Sequence, residues 1–249
     1  MRVYLPRFFV AALPENLARM EADVAEAASL DCEMIVFPEM FLTGYHGQSE
    51  LPLMHRAFAE ASASCPGMLC VFGAVSEERR NRLWVYLAGD AVTHYDKVHL
   101  FRPNGEHTMW QAGQRYCALE WGLWRIGLMT CNDVRFSEQA RALKLRHDIN
   151  LLVCPALWPW ERDDVWATLL RARAIENGLF AVGCCVAGVD NGKERFDGAG
   201  NHVFDPLGDT VRTAGRLYEL DPAILDAVLV DTRAQHVDIG EVDCVKAGG

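Results

Sequence analysis

A layered α/β fold is predicted for this chain on three observations. Short runs rich in Val, Ile, Leu, Phe and Cys alternate with longer segments whose apolar residues recur at three- and four-residue spacing. Hydrophobic residues make up 51% of the sequence, enough for a large core. No Pro/Gly/Ser-rich linker, internal repeat or low-complexity stretch divides the 249 residues, so 1–249 is read as one domain.

The elements follow in order. Pro14 to Leu30 places Leu17, Met20, Val24, Ala27 and Ala28 on one helical face, with Pro14 suited to a first turn. A strand then runs from Met34 towards Glu39, and Glu50 to Ser64 reads as a second helix. Leu69 to Ser76, Leu83 to Ala88 and Val92 to Leu100 read as strands, the last two joined by a hairpin at Gly89-Asp90. Buried-type strands are expected at Arg125 to Thr130, Asn150 to Ala156 and Leu179 to Ala187, with helices at Ser137 to His147 and Asp163 to Asn177 between them. The last part is mainly strand and loop, turning at Pro206-Leu207-Gly208-Asp209.

Charge and cysteine content exclude several classes. A formal net charge of -10 argues against nucleic-acid binding, which calls for a basic patch. No apolar run reaches the roughly 18 residues of a membrane span. The 9 cysteines contain no Cys-x-x-Cys pair, and Cys154, Cys184 and Cys185 lie in apolar runs as core fillers. Neither a disulfide framework nor a metal site is expected, and the odd count without a signal peptide favours a reducing cytoplasm.

Three segments carry candidate chemistry. Gly127-Leu128-Met129-Thr130-Cys131 delivers a thiol from an apolar run into the polar turn Asn132-Asp133, where N–H groups at the following helix start would lower its pKa and hold an oxyanion. Met34-Ile35-Val36-Phe37-Pro38-Glu39 ends a strand on a carboxylate whose apolar neighbours disfavour its charge, a setting fit for a general base. Thr93 to Phe101 carries Lys97 among apolar and aromatic residues, partly inside and in need of a carboxylate partner.

In this order, Phe37-Pro38-Glu39 with Thr43-Gly44-Tyr45, Tyr95-Asp96-Lys97-Val98-His99-Leu100 and Cys131-Asn132-Asp133-Val134-Arg135-Phe136 resemble the three motifs of the nitrilase superfamily of carbon-nitrogen hydrolases. The likeness continues through Trp166 and Arg171 to Asn177 and on to Asp205-Pro206-Leu207-Gly208-Asp209. It implies a four-layer α-β-β-α sandwich, a Glu39-Lys97-Cys131 triad, and no cofactor. It also implies a second glutamate, Glu106, beside the lysine, and a homodimer or larger assembly. Glu39 would take the thiol proton, Cys131 would attack the carbonyl carbon, and Lys97 with the Asn132 backbone N–H would stabilise the tetrahedral oxygen.

The departures bear on substrate. Asn132 stands where the family often has Tyr and resembles the Cys-Asn-Asp pattern of N-carbamoyl-amino-acid amidohydrolases, but Val134-Arg135 replaces their pair of arginines. The Cys-Trp-Glu of true nitrilases is absent, so a small-molecule amide, with a ureide as the alternative, is expected over a nitrile. Arg135 either clamps a substrate carboxylate or pairs with Asp133 or Glu138. Trp158, Trp160 and Trp110 either wall the pocket or fill the core. Arg171, Arg173 and Glu176 read as a helix-based ion-pair network supporting the site, and His99 and His107 as structural. A catalytically silent scaffold is the reading from a different class, and the joint presence of Glu39, Lys97 and Cys131 argues against it.

Overall fold

The structure, a computed structural model, describes residues 1–45, 50–188, 200–228 and 232–236. Its first half runs β1 (Arg2–Tyr4), α1 (Leu13–Ser29), β2 (Met34–Val36), α2 (Leu51–Ala63), β3 (Leu69–Glu77), β4 (Arg80–Leu87), β5 (Asp90–Asp96) and the one-turn α3 (Glu106–Met109). Then come β6 (Cys117–Trp121), β7 (Trp124–Leu128), α4 (Ser137–His147), β8 (Leu151–Ala156), α5 (Asp163–Asn177) and β9 (Phe180–Cys185). Short elements follow: β10 (His202–Phe204), β11 (Thr213–Ala214), β12 (Leu217–Glu219), α6 (Ala223–Asp226) and α7 (Thr232–Gln235).

Strand alternation sorts these elements into layers. In β2, Met34 and Val36 join one apolar cluster while Ile35 and the following Phe37 join another. In β8, Leu151 and Val153 join the first cluster, and Leu152, Cys154 and Ala156 a third. The first cluster lies between a sheet of order β11-β12-β1-β2-β3-β4-β5 and a sheet of order β10-β9-β8-β7-β6. The second packs α1 and α2 on the outer face of the larger sheet, and the third packs α4 and α5 on the smaller. The result is the expected α-β-β-α sandwich.

Sheet polarity gathers the site at one edge. β1, β2 and β3 are parallel, and β4 is antiparallel to both β3 and β5, so β5 points the same way as β2. In the facing sheet β7, β8 and β9 are parallel. Glu39 follows β2, Lys97 follows β5, Cys131 follows β7 and Leu157 follows β8. Catalytic groups of parallel α/β sheets collect beyond such C-terminal ends.

Helices α4 and α5 have the bounds read from the sequence, while the hairpin turns at Ala88-Gly89, one residue before the expected Gly89-Asp90, with both residues at positive φ. The Pro206–Asp209 turn forms around Gly208, at φ 87°. Strand β5 stops at Asp96 rather than Leu100, because after Lys97 N–H meets the Asn81 carbonyl, the Lys97 carbonyl turns to accept from Gly113 N–H. Strands β1 and β6 were not anticipated. The first is very short, and the second is a half-buried edge strand with weak alternation. Cys154, Cys184 and Cys185 are core residues, at most 1% exposed. Cys244 lies outside the described residues. Among them no helix is long and apolar enough to cross a membrane, and no group of three His, Cys, Asp or Glu is arranged to hold a metal ion.

Candidate active site

Glu39 is fixed by what surrounds its backbone. Phe37 stacks on Phe41 and Phe72, with ring centroids 4.8 and 5.6 Å apart. Pro38 ends the ladder, and β3 bulges between Phe72 and Val75 so that Gly73 passes directly under it. A Cβ at Gly73 would lie 1.8 Å from the Pro38 carbonyl oxygen. Met40, next in the chain, takes φ 54°, and the turn aims the carboxylate inward. We therefore expect Gly73→Ala to destabilise the fold by about 3 kcal/mol, the upper range for overpacking, and to lower turnover by displacing Glu39. Chemical denaturation and initial rates check this.

The carboxylate is fully buried and both of its oxygens are hydrogen-bonded. Oε1 accepts from Lys97 Nζ at 2.9 Å and from Asn81 Nδ2 at 2.8 Å, and Oε2 accepts from the Leu157 backbone N–H at 2.9 Å. Lys97 Nζ also donates to Glu106 Oε1 at 2.9 Å, and this ammonium is 0% exposed. Glu106 is held in turn by the Tyr45 hydroxyl at 2.9 Å and the Phe101 N–H at 2.8 Å. Burial alone would lower the Lys97 pKa, but the negative charges of Glu39 and Glu106 outweigh it and keep the group protonated.

The nucleophile candidate sits on a built turn. The Asp133 carboxylate reaches back to the Thr130 N–H and caps the short helical turn Cys131–Arg135, while the Asp133 N–H meets the Thr130 carbonyl. Asp133 binds the Thr130 N–H at 2.9 Å, the Tyr95 hydroxyl at 2.8 Å, and the His99 N–H and Nδ1 at 2.8 and 2.9 Å. One buried carboxylate thus ties the cysteine turn to the lysine segment. Arg173 Nε adds a bond to the Val134 carbonyl at 2.9 Å while its guanidinium pairs with Glu176 at 2.7 Å, the supporting role read from the sequence. Arg171 instead lies over the Phe204 ring.

Cys131 itself has φ 49°, a strained left-handed conformation for a side chain of this kind. Its Sγ is 3.7 Å from the Leu157 carbonyl. The thiol pKa is not lowered as expected. Burial first, then the charge of Glu39, push it well above the usual range, against the pull of Lys97. The physical reason is that the sulfur is sealed from water and a carboxylate faces it. A neutral thiol beside a base must hand over its proton at the moment of attack.

The remaining candidates divide. The Asn132 side chain is turned away from the thiol, its Nδ2 donating to the His99 carbonyl at 3.0 Å, so it braces the lysine segment and leaves only its backbone N–H for substrate. Arg135 stacks on Trp158, its guanidinium carbon 4.6 Å from the ring centroid, and lies close enough to Cys131 and Arg162 to feel both. Asp133, one of the two acids considered as its partner, spends both oxygens elsewhere. Trp158 is buried between that guanidinium and Trp166, with its Nε1 on the Arg162 carbonyl. Trp110 packs against Tyr45, while Trp160 is exposed. Asn81, bonded to Glu39, and Tyr45, bonded to Glu106, were missed as site residues. Tyr45 lay inside a quoted motif, and Asn81 had no signal, being one polar residue in a strand.

A thiol, an ammonium and two carboxylates, buried where the strand ends of an α-β-β-α sandwich meet, define a hydrolase of carbon–nitrogen bonds. The sequence model of the carbon-nitrogen hydrolase family matches residues 5–227, and the chain belongs to that family, in the amidase-like branch of the nitrilase superfamily. It is a carbon-nitrogen hydrolase. Omega-amidase YafV of Escherichia coli K12 is 31% identical over 208 residues, covering 81% of this chain and 79% of that protein. The 2-oxoglutaramate amidase of Bacillus subtilis is 31% identical over 215 residues, covering 81% of each. XC1258 of Xanthomonas campestris, a CN-hydrolase superfamily protein solved with an arsenic adduct in its active site, superposes with a TM-score of 0.76 at 25% identity, covering 91% of this chain and 92% of that one.

Proposed function

We propose that the chain cleaves the terminal amide of a small carboxylic acid through a thioester on Cys131. The observation that carries this is the buried Lys97 ammonium, 2.9 Å from both Glu39 and Glu106 beside a neutral thiol. Burying an ammonium with two carboxylates costs stability, so a fold alone has no use for it.

Glu39 accepts the Sγ proton as sulfur attacks the carbonyl carbon, and the C=O π electrons move onto oxygen. Lys97 Nζ and the Asn132 backbone N–H hold that oxyanion. Collapse breaks the C–N bond, Glu39 returns the proton to nitrogen, and ammonia leaves. Glu39 then takes a proton from water, hydroxide attacks the thioester, and collapse expels the thiolate, which Glu39 reprotonates. Glu106 and Tyr45 aim the ammonium, and Asn81 and the Leu157 N–H aim the base.

The substrate class rests on Arg135, placed by Trp158 at the side of Cys131, and on the omega-amidase and 2-oxoglutaramate amidase names of the relatives. A guanidinium there suits a carboxylate at the far end of the amide. The ureide alternative leaned on Asn132, whose side chain is occupied by His99. Ammonia release from monoamides of dicarboxylic acids, neutral short amides and N-carbamoyl amino acids tests the reading, and a ranking led by N-carbamoyl amino acids rejects it. In the same panel Arg135→Gln is expected to lower kcat/KM for carboxylate-bearing amides about 10–100-fold relative to neutral ones, the equivalent of roughly 1.5–3 kcal/mol for a lost charged hydrogen bond. An unchanged ranking with lower stability makes the residue structural. The same reading takes the enzyme as a homodimer or larger assembly in a reducing cytoplasm.

A further inference from the structure

We propose that Cys65 and Cys70 form a modification site distinct from the catalytic thiol, a dithiol that closes to a reversible disulfide on exposure to a peroxide. Their Sγ atoms are 3.8 Å apart. A disulfide needs about 2 Å, so the sulfurs have a short way to travel. The segment between them can yield. Helix α2 ends at Ala63, the chain turns through Pro66 and Gly67, both exposed, and β3 begins at Leu69. A Cβ at Gly67 would touch nothing within 4 Å, so open space lies beside the turn, which the Met68 N–H closes on the Cys65 carbonyl at 2.9 Å.

The two sulfurs differ in the way the chemistry requires. Cys65 is 7% exposed and Cys70 is 0% exposed. Cys65, the more accessible sulfur, is the attacking one and Cys70 the resolving one. The Cys65 thiolate attacks one peroxide oxygen and the O–O bond breaks, giving a sulfenic acid. The departing hydroxide takes up the proton that Cys65 lost. Cys70 sulfur then attacks the sulfenic sulfur, the S–O bond breaks, and the Cys70 proton leaves with that oxygen as water. Two thiols and one hydrogen peroxide give one disulfide and two waters, the thiols oxidised and the peroxide reduced.

The adjacent Cys184 and Cys185 cannot do this, because they point to opposite faces of β9, one into each apolar layer. Cys70 pairs across to Ile35 of β2, the strand that leads to Glu39, so the bond would staple α2 to the sheet that carries the base.

The test is peptide mapping of the native enzyme. Protein is treated with stoichiometric hydrogen peroxide, blocked with iodoacetamide and digested with trypsin without reductant. Segment 57–79 holds these two cysteines and no other. The expected result is that this segment appears lighter by two hydrogens and unalkylated, is restored by dithiothreitol, and in Cys70→Ser gives a Cys65 sulfenic acid trapped by dimedone. Full alkylation of both sulfurs after the peroxide is consumed, or Cys65 found joined to any other cysteine, overturns the proposal. The wild-type map decides it even where the variant does not fold.

Discussion

Replacing Lys97 with Met is expected to lower kcat by at least about 10²–10³-fold, the effect of losing one preorganised oxyanion donor, while KM changes far less. The variant is also expected to lose about 3–5 kcal/mol of stability at neutral pH, because Glu39 and Glu106 share that one ammonium and removing it strands two buried carboxylates. Urea denaturation at neutral pH, with initial rates on the preferred amide, checks both parts. Lys97→Arg is expected to fail as well, since a planar fork cannot replace a point charge that faces Glu39, Glu106 and the oxyanion together. Near-normal turnover in Lys97→Met removes the oxyanion role.

Cys131→Ala is expected to abolish turnover, by about 10⁴-fold or more, and to leave the fold intact. Alanine keeps the same Cβ in the same left-handed backbone, so the strain at φ 49° is unchanged, and the Asp133 cap that builds the turn does not involve the sulfur. Loss of one buried sulfur costs on the order of 1 kcal/mol. Intact-mass spectrometry supplies the second readout: a thioester adduct accumulates on wild type with slow substrates and is absent from the variant. Ammonia release that persists in the variant moves the nucleophile elsewhere.

The layers and the three chemistry-bearing segments were legible in the sequence because they rest on local signals. Alternation in β2 and β8 and the periodicity of α1 report which way each side chain must face. The abrupt change from apolar to polar at Cys131, and the Pro before Glu39, mark strand ends. The partners that tune these groups were not legible, because they come from distant sequence. Asn81 reaches Glu39 across 42 positions and the Leu157 N–H across 118. Nothing local distinguishes Asn81 from a solvated strand residue. Asn132 is the opposite case. Its neighbour suggested a substrate contact, but the Asp133 hub draws the lysine segment against the turn, and the amide finds the His99 carbonyl first. The thiol's raised pKa likewise depends on which charge lies across the site, a fact of the two sheets' packing.

The bond from Leu157 N–H to Glu39 crosses from one sheet to the other, and so does the contact of the Cys184 sulfhydryl with the Val36 carbonyl at 3.0 Å. Each sheet taken alone holds half of the constellation: base and cation on one, sulfur and the aiming amide on the other. Catalytic activity is therefore expected to return in refolding only once the two sheets have docked and water has left between them, a step that the long sequence separations make slow.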